Sequence, residues 1–196
     1  TNLTKGYYYA AIYHRSTNGT ITRIATQAPP STLIYTVFQN AGYSSNTGVE
    51  MVFQQNFSKA FSFNSNVNIY RNIINAFTVE NKYPVLSIYT AGKEAITSGN
   101  VKLNGIFHLP KKTYIQLTAI YLAPDIIPQG RIDTRFSVDM GIKKQIQKDK
   151  GELFFNASDI FNTLRIKKTV TGNGFTLAST DYYETQVIRL GYSYKF

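Results

Sequence analysis

The last ten residues, Val187-Ile188-Arg189-Leu190-Gly191-Tyr192-Ser193-Tyr194-Lys195-Phe196, constrain the fold more than any other segment of the chain. Counted back in steps of two, Phe196, Tyr194, Tyr192, Leu190 and Ile188 share one face of a strand, while Lys195, Ser193, Gly191 and Arg189 share the other. One face is wholly apolar and aromatic; the other is polar or small. A sheet in water can hold such a strand with its apolar face inward. Terminal segments of water-soluble domains, however, are usually frayed and wet, and this one stops on a phenylalanine. The pattern points instead to a strand whose apolar side meets lipid.

Composition narrows the alternatives. Only 16% of the 196 residues are charged, against about 25% in an ordinary soluble domain. Tyr (15) and Phe (13) are abundant and Trp is absent. No apolar run approaches the roughly 18 residues that a membrane helix needs, which excludes a helical membrane protein. A transmembrane barrel stays open, because each of its strands needs only about ten alternating residues. The absence of cysteine removes disulfides, thiolate metal sites and cysteine nucleophiles together. The net charge of +10 raises nucleic acid as a partner, but the 21 basic residues are scattered and form no basic helix. Turn lysines and a mildly positive inner wall account for the excess, and no nucleic-acid partner is expected. The sequence starts at Thr1 with no initiator Met or leader, so either a leader has been removed or the chain is part of a longer one.

Period-two segments recur along the chain and predict eight strands. The first covers Lys5 to Gln27, broken near 16–19. The second, Thr32 to Gln55, bends around 40–46. The third runs Ala60 to Phe77, with Phe61, Phe63, Val67 and Ile69 opposite Ser62, Asn64, Asn66 and Asn68. The fourth (Ala95 to Leu109), fifth (Thr113 to Leu122) and sixth (Arg131 to Ile146) alternate in the same way. The seventh starts after Gly151 and loses its alternation at Ser158-Asp159-Ile160-Phe161, where a bulge is expected. The eighth is the closing strand, reached through a hairpin-like loop at Gly172-Asn173-Gly174. Tight turns (57–59, 110–112, 147–151) alternate with longer loops (28–31, 80–94, 123–130, 172–180). That is the layout of an up-and-down outer-membrane barrel with short periplasmic turns and longer external loops.

On this reading the inner, water-facing wall carries Asn64, Asn66, Asn68, Lys102, Asp139, Lys143 and Arg189, with Asp139 paired to Lys143 or Arg189. Aromatic residues near strand ends are expected to form interface girdles: Tyr114, Phe107, Phe154 and Phe196 at one rim, Tyr83, Tyr89, Tyr121, Tyr182 and Tyr183 at the other. His14 and His108 lie on different strands with no carboxylate cluster at ligand spacing. No serine sits in a nucleophile elbow. Neither a catalytic site, a metal site nor a cofactor is expected, and the chain does not read as an enzyme.

Several segments also resemble one family. Ala123-Pro124-Asp125-Ile126-Ile127-Pro128-Gln129-Gly130-Arg131, the strand Phe136 to Lys144, Asn156-Ala157-Ser158-Asp159-Ile160-Phe161-Asn162-Thr163, and Arg189 to Phe196 are similar, in order, to segments near the end of outer-membrane barrel proteins related to TonB-dependent receptors. Upstream, Ile12-Tyr13-His14-Arg15 with Asn40-Ala41-Gly42 and Thr47-Gly48-Val49-Glu50 resembles a hairpin of that family. The resemblance spans nearly the whole chain. It implies an all-β, antiparallel transmembrane barrel whose carboxyl-terminal portion is residues 1–196, with no plug domain among them, out of about 22 strands. It implies solute uptake across the bacterial outer membrane. It also implies contact with outer-membrane lipid, with a barrel-assembly machinery reading Tyr192, Tyr194 and Phe196, and with a TonB-type energising protein and surface lipoproteins. Two alternatives remain: a non-transporting barrel serving as scaffold or anchor in a surface complex, and a self-contained eight-stranded barrel. Eight open strands cannot sit in lipid with bare edges, and the small neutral residues of the inner wall suit a wide, wet barrel better than the filled interior of an eight-stranded one.

Overall fold

The computed structural model describes residues 6–196. In chain order its strands are β1 (Tyr7–Gln27), β2 (Ile34–Asn56), β3 (Phe61–Ile74), β4 (Phe77–Asn81), β5 (Ser87–Ala91), β6 (Glu94–Leu109), β7 (Thr113–Leu122), β8 (Asp125–Ile127), β9 (Gly130–Ile132), β10 (Arg135–Ile146), β11 (Gly151–Ser158), β12 (Ile166–Gly172), β13 (Phe175–Asp181) and β14 (Val187–Tyr194). Eight of them form one antiparallel sheet in the order β1-β2-β3-β6-β7-β10-β11-β14. Each member pairs with the next member along the chain, so the sheet is a meander. Among the described residues its outermost strands, β1 and β14, are not hydrogen-bonded to each other, so the described sheet does not close on itself.

The three tight turns form for local reasons. Ser58 organises the first, its Oγ accepting the N–H groups of Ala60 and Phe61 at 3.1 and 3.0 Å. The second passes through Lys111 and Lys112, both left-handed (φ 59° and 55°), which matches the twist that tight hairpins require. The third, Gln147–Asp149, is left-handed at all three residues (φ 51°, 54° and 75°) and closes with Lys150 N–H on the Gln147 carbonyl at 3.2 Å. At the other end the connections are long and structured. They hold a two-stranded sheet, β4-β5, and a four-stranded sheet, β13-β12-β9-β8. The β1–β2 hairpin also projects far beyond its neighbours. Its strands of 21 and 23 residues extend to roughly 70 Å at about 3.3 Å per residue, against an apolar band about 25 Å tall.

Register puts every apolar alternation on one face. The rung Phe61↔Phe107↔Ile115↔Ile142↔Phe155↔Leu190 crosses six strands with apolar side chains throughout. That face is uncovered: Ile188 is 69% exposed, Leu190 79% and Ile12 83%. The buried apolar cluster lies elsewhere, where Ile24, Ala41, Ile74, Phe77, Val79, Ala91 and Ile126 meet among the long connections. A sheet folding in water would bury its broad apolar face first, since that burial drives folding. Here the buried apolar cluster serves the loops, and the sheet's apolar face is left for another apolar medium.

The structure corrects several boundaries. β1 is continuous through 16–19, with Gly19 absorbing the twist at φ 65°. β3 ends at Ile74 rather than Phe77, because Phe77 opens the β4–β5 hairpin. Arg131 and Ile132 belong to the loop strand β9, and the sixth strand of the meander begins at Arg135. No bulge interrupts β11; it stops at Ser158, and Asp159 (φ 44°) starts a tight turn. The Gly172-Asn173-Gly174 segment is a hairpin turn as expected, but it joins β12 to β13 and does not lead into the closing strand. Lys5, the first residue of the expected first strand, lies outside the described residues.

Candidate functional site: the polar face and the loop cap

The face opposite the apolar one is built from rungs of amides. Asn68, Asn66 and Asn64 of β3 stand opposite Asn100, Lys102 and Asn104 of β6, and Asn104 stands opposite Thr118 of β7. Side chains bridge the strands: Asn66 Nδ2 donates to Glu50 at 3.3 Å, Tyr13 Oη donates to Asn68 at 3.0 Å, and Asn104 Oδ1 accepts from both Gln116 and Thr118 at 2.9 Å. Amides suit this task because each offers a donor and an acceptor, and Gln116 and Asn104 pair in this way across β6 and β7. Between β1, β2, β3 and the loop strand β8 the face forms an open cleft of about 740 Å³, lined by Tyr9, Tyr13, Arg15, Glu50, Asn66 and Asn68 among others.

All seven expected wall residues lie on this polar face by register, but the pairing expected for Asp139 is not found. Lys143 reaches Glu152 across β10 and β11 at 2.6 Å. Asp139 instead accepts the backbone N–H of Asp159 at 2.8 Å. Arg189 stands beside Asn156, and Lys102 is exposed between Asn66 and Ile120. The reason is reach: Glu152 is on the strand adjacent to Lys143, whereas the turn at Asp159 brings an unpaired N–H directly to Asp139. The girdles are also thinner than expected. Tyr114 and Phe154 fall on the polar face, where Tyr114 stacks edge-on against His108 at 5.3 Å. Phe154 lies across bare Gly191, whose Cβ position would be 2.1 Å from its ring. Tyr83, Tyr89, Tyr182 and Tyr183 belong to the long connections. Phe107 and Tyr121 keep to the apolar side, and Phe196, beyond the last strand, packs edge-on against Tyr194 at 5.5 Å.

The long connections form a cap tied to the sheet by buried polar groups that the strand pattern does not reveal. Gln129, 4% exposed, clamps the main chain of Ala25 from both sides, accepting its N–H at 2.6 Å and donating to its carbonyl at 3.0 Å. Asn81, fully buried, donates to Thr26 Oγ1 at 2.6 Å and accepts from Gln39 at 2.8 Å. Asp125 of β8 reaches down to the polar face, accepting from Tyr70 Oη at 2.6 Å and Asn72 Nδ2 at 2.7 Å. Asp159, 1% exposed, accepts from Thr163 N–H, Leu164 N–H and Thr185 Oγ1 at 2.9, 3.0 and 2.7 Å. Burial alone pushes its carboxyl upward, but these donors outweigh burial and hold it below the usual carboxylate value of 3.8. Sequence signals existed for two of the four. Pro124 and Pro128 bracket a segment holding Asp125, and the Asp159–Thr163 spacing is that of a carboxylate capping a turn.

Neither histidine has a metal-ligating neighbourhood. His14 Nδ1 lies 2.8 Å from Thr47 Oγ1, and His108 Nδ1 donates to the Lys59 carbonyl at 3.3 Å. Among the described residues no three His, Asp or Glu side chains gather at metal-binding distance.

A sheet with one bare apolar face, one amide face and a cap on one end is the form of a barrel wall in lipid, and comparison with known families agrees. The model of the outer membrane protein beta-barrel family matches residues 1–194. The chain belongs to that family. It is an integral β-barrel protein of the bacterial outer membrane, and its short turns accordingly face the periplasm and its cap the exterior. No curated protein matches the sequence, and no solved structure matches the fold. Family membership gives the bare face of this barrel protein its medium: Phe136, Val138, Ile188 and Tyr192 meet hydrocarbon rather than a dry centre.

Proposed function

We propose that this chain forms the carboxyl-terminal wall of a wide receptor-type barrel of the TonB-dependent kind, which takes a solute up across the outer membrane. One observation carries the reading: between β1, β2, β3 and β8 the polar face opens into a cleft of about 740 Å³, whereas the interior of a closed eight-stranded barrel is filled by its own side chains. Among the described residues β1 and β14 each leave an edge unpaired, which supports it, because unpaired edge amides in hydrocarbon cost several kcal/mol each and further strands would remove them. The ordered resemblance of five segments supports the TonB-dependent lineage. In this reading Asn64, Asn66, Asn68, Lys102, Asp139, Lys143 and Arg189 face the solute path, and Tyr192, Tyr194 and Phe196 present the assembly signal. The barrel carries out no covalent chemistry; its work is binding and passage.

Deleting the gene in the producing bacterium and comparing spent medium with that of the parent tests this. At least one solute should stay unconsumed, and both the intact gene and functional TonB should be required to restore its uptake. Unchanged consumption of every solute would sink the transport reading. A second reading, a scaffold in a surface complex, is favoured by the apolar tip of the β4–β5 hairpin, where Tyr83, Leu86 and Ile88 are 64, 72 and 61% exposed. Partner proteins that co-purify with the native barrel and are lost with Leu86→Asp, with uptake unaffected by gene deletion, would establish the scaffold instead.

A further inference from the structure

Charge in this protein is gathered at one end. Of the three short turns, the first holds Lys59, the second Lys111 and Lys112, and the third Lys148 and Lys150. Lys143 and Lys144 sit near the same end of β10, and Lys195 follows β14. Against these eight lysines stand two acids among the described residues at that end. Asp149 is paired with Lys112, and Glu152 with Lys143. The cap shows no such excess: its seven basic residues (Arg23, Lys82, Lys93, Arg131, Arg165, Lys167 and Lys168) stand with seven acids (Glu80, Glu94, Asp125, Asp133, Asp159, Asp181 and Glu184), and Lys168 is bridged to Asp181 at 2.8 Å. The net charge of +10 is therefore mostly a property of the periplasmic rim.

Turn formation does not explain these lysines. Lys111, Lys112 and Lys148 hold left-handed backbone (φ 59°, 55° and 54°), positions that glycine or asparagine fills with less strain. Lys144 is more telling. It continues the apolar face of Val138, Met140 and Ile142, with Leu153 as its register partner, and its side chain is exposed. An ammonium on that face must extend to an anionic or aqueous layer beyond the hydrocarbon. A shelf of rings lies on the same face at the same end: Phe57 stacks on Phe61 at 5.7 Å and Phe61 on Phe107 at 4.8 Å. Aromatic side chains of this kind settle at headgroup depth.

We propose that this lysine rim binds the anionic phosphate headgroups of the phospholipids in the periplasmic leaflet. Lys144 and the ring shelf decide for lipid over an acidic polypeptide, because both face the bilayer and not the aqueous end of the barrel. The rim orients the barrel and draws acidic phospholipid to its lower edge.

The test titrates the intact native protein, in uncharged detergent, with phosphatidylglycerol and separately with phosphatidylcholine, counting retained lipids by native mass spectrometry. Phosphatidylglycerol should be retained in about tenfold preference, and the preference should collapse when salt is raised from about 0.05 to 0.5 M. Glutamine at positions 111, 144, 148 and 150 together (K111Q, K144Q, K148Q, K150Q) should abolish the preference, and arginine at the same four should preserve it. Equal retention of both lipids by the wild type, or a preference that survives the glutamine changes, overturns the proposal. Displacement of phosphatidylglycerol by polyglutamate at matched charge would assign the rim to an acidic polypeptide and also overturn it. If the glutamine variant does not fold, the salt dependence of the wild type decides.

Discussion

At the scale of single residues, Asp159 holds the most consequential position. One carboxylate satisfies two main-chain N–H groups and a threonine hydroxyl, and it does so fully buried. Removing it by Asp159→Ala orphans those donors, each costing about 1–3 kcal/mol. The segment 159–186 should then open by about 3 kcal/mol, read as faster amide exchange and new protease cleavage there while the meander stays protected. The pH dependence follows from the depressed pKa. Because the folded carboxyl titrates below 3.8, its contribution is complete above that value and is lost as pH falls through the lower folded value. Protection of 159–186 should therefore hold at pH 5 and fail below about 3.8 ahead of the meander; loss already at pH 5 would assign the lock to some other group.

At the scale of elements, the two faces of each strand tolerate opposite changes. Leu103 lies on the bare apolar face, 40% exposed, and Leu103→Arg places a guanidinium in hydrocarbon at a cost of about 2–4 kcal/mol near the midplane. Asn100→Arg, on the amide face three residues away, should cost much less, since Lys102 already stands there. Folding yield into lipid vesicles separates the two, and equal loss in both variants would contradict the assignment of faces. The β1–β2 hairpin and the β4–β5 hairpin meet where Gly42 adopts φ 51° and its Cβ position would lie 2.8 Å from the Phe77 Cβ. Gly42→Val strains the backbone and collides with Phe77 at once, and should loosen the cap by about 2 kcal/mol, seen as protease sensitivity within 75–93. Strand existence was legible from alternation, and the fifth strand was read to the residue. What alternation could not show was the secondary structure of the cap. Strands of three to seven residues that pair only with one another carry too few periods to be distinguished from loop.

At the scale of the whole molecule, the protein is arranged inside out relative to a soluble sandwich, with hydrocarbon outside the sheet and amides within. Extracted protein should partition into detergent and migrate as a compact band that shifts on boiling; partition into plain buffer would contradict the membrane assignment. The intact mass of the native polypeptide tests the wide-barrel proposal, because a mass near the chain's own 22.1 kDa leaves no room for further strands in the same polypeptide.

The eight meander strands, their two faces, their up-and-down order and the membrane as solvent follow from the residues alone, because a period of two and the alternation of turn lengths are local properties written residue by residue. The same period puts seven polar residues on one face of the sheet. Which of them touch is set by how the strands pack. Lys143 takes Glu152 and Asp139 takes the Asp159 N–H, since partner choice depends on which strand lies alongside and where it ends. The same holds for the cap. Gln129 and Ala25 are far apart in sequence, and nothing local says that an amide in one loop completes the main-chain bonding of a hairpin in another.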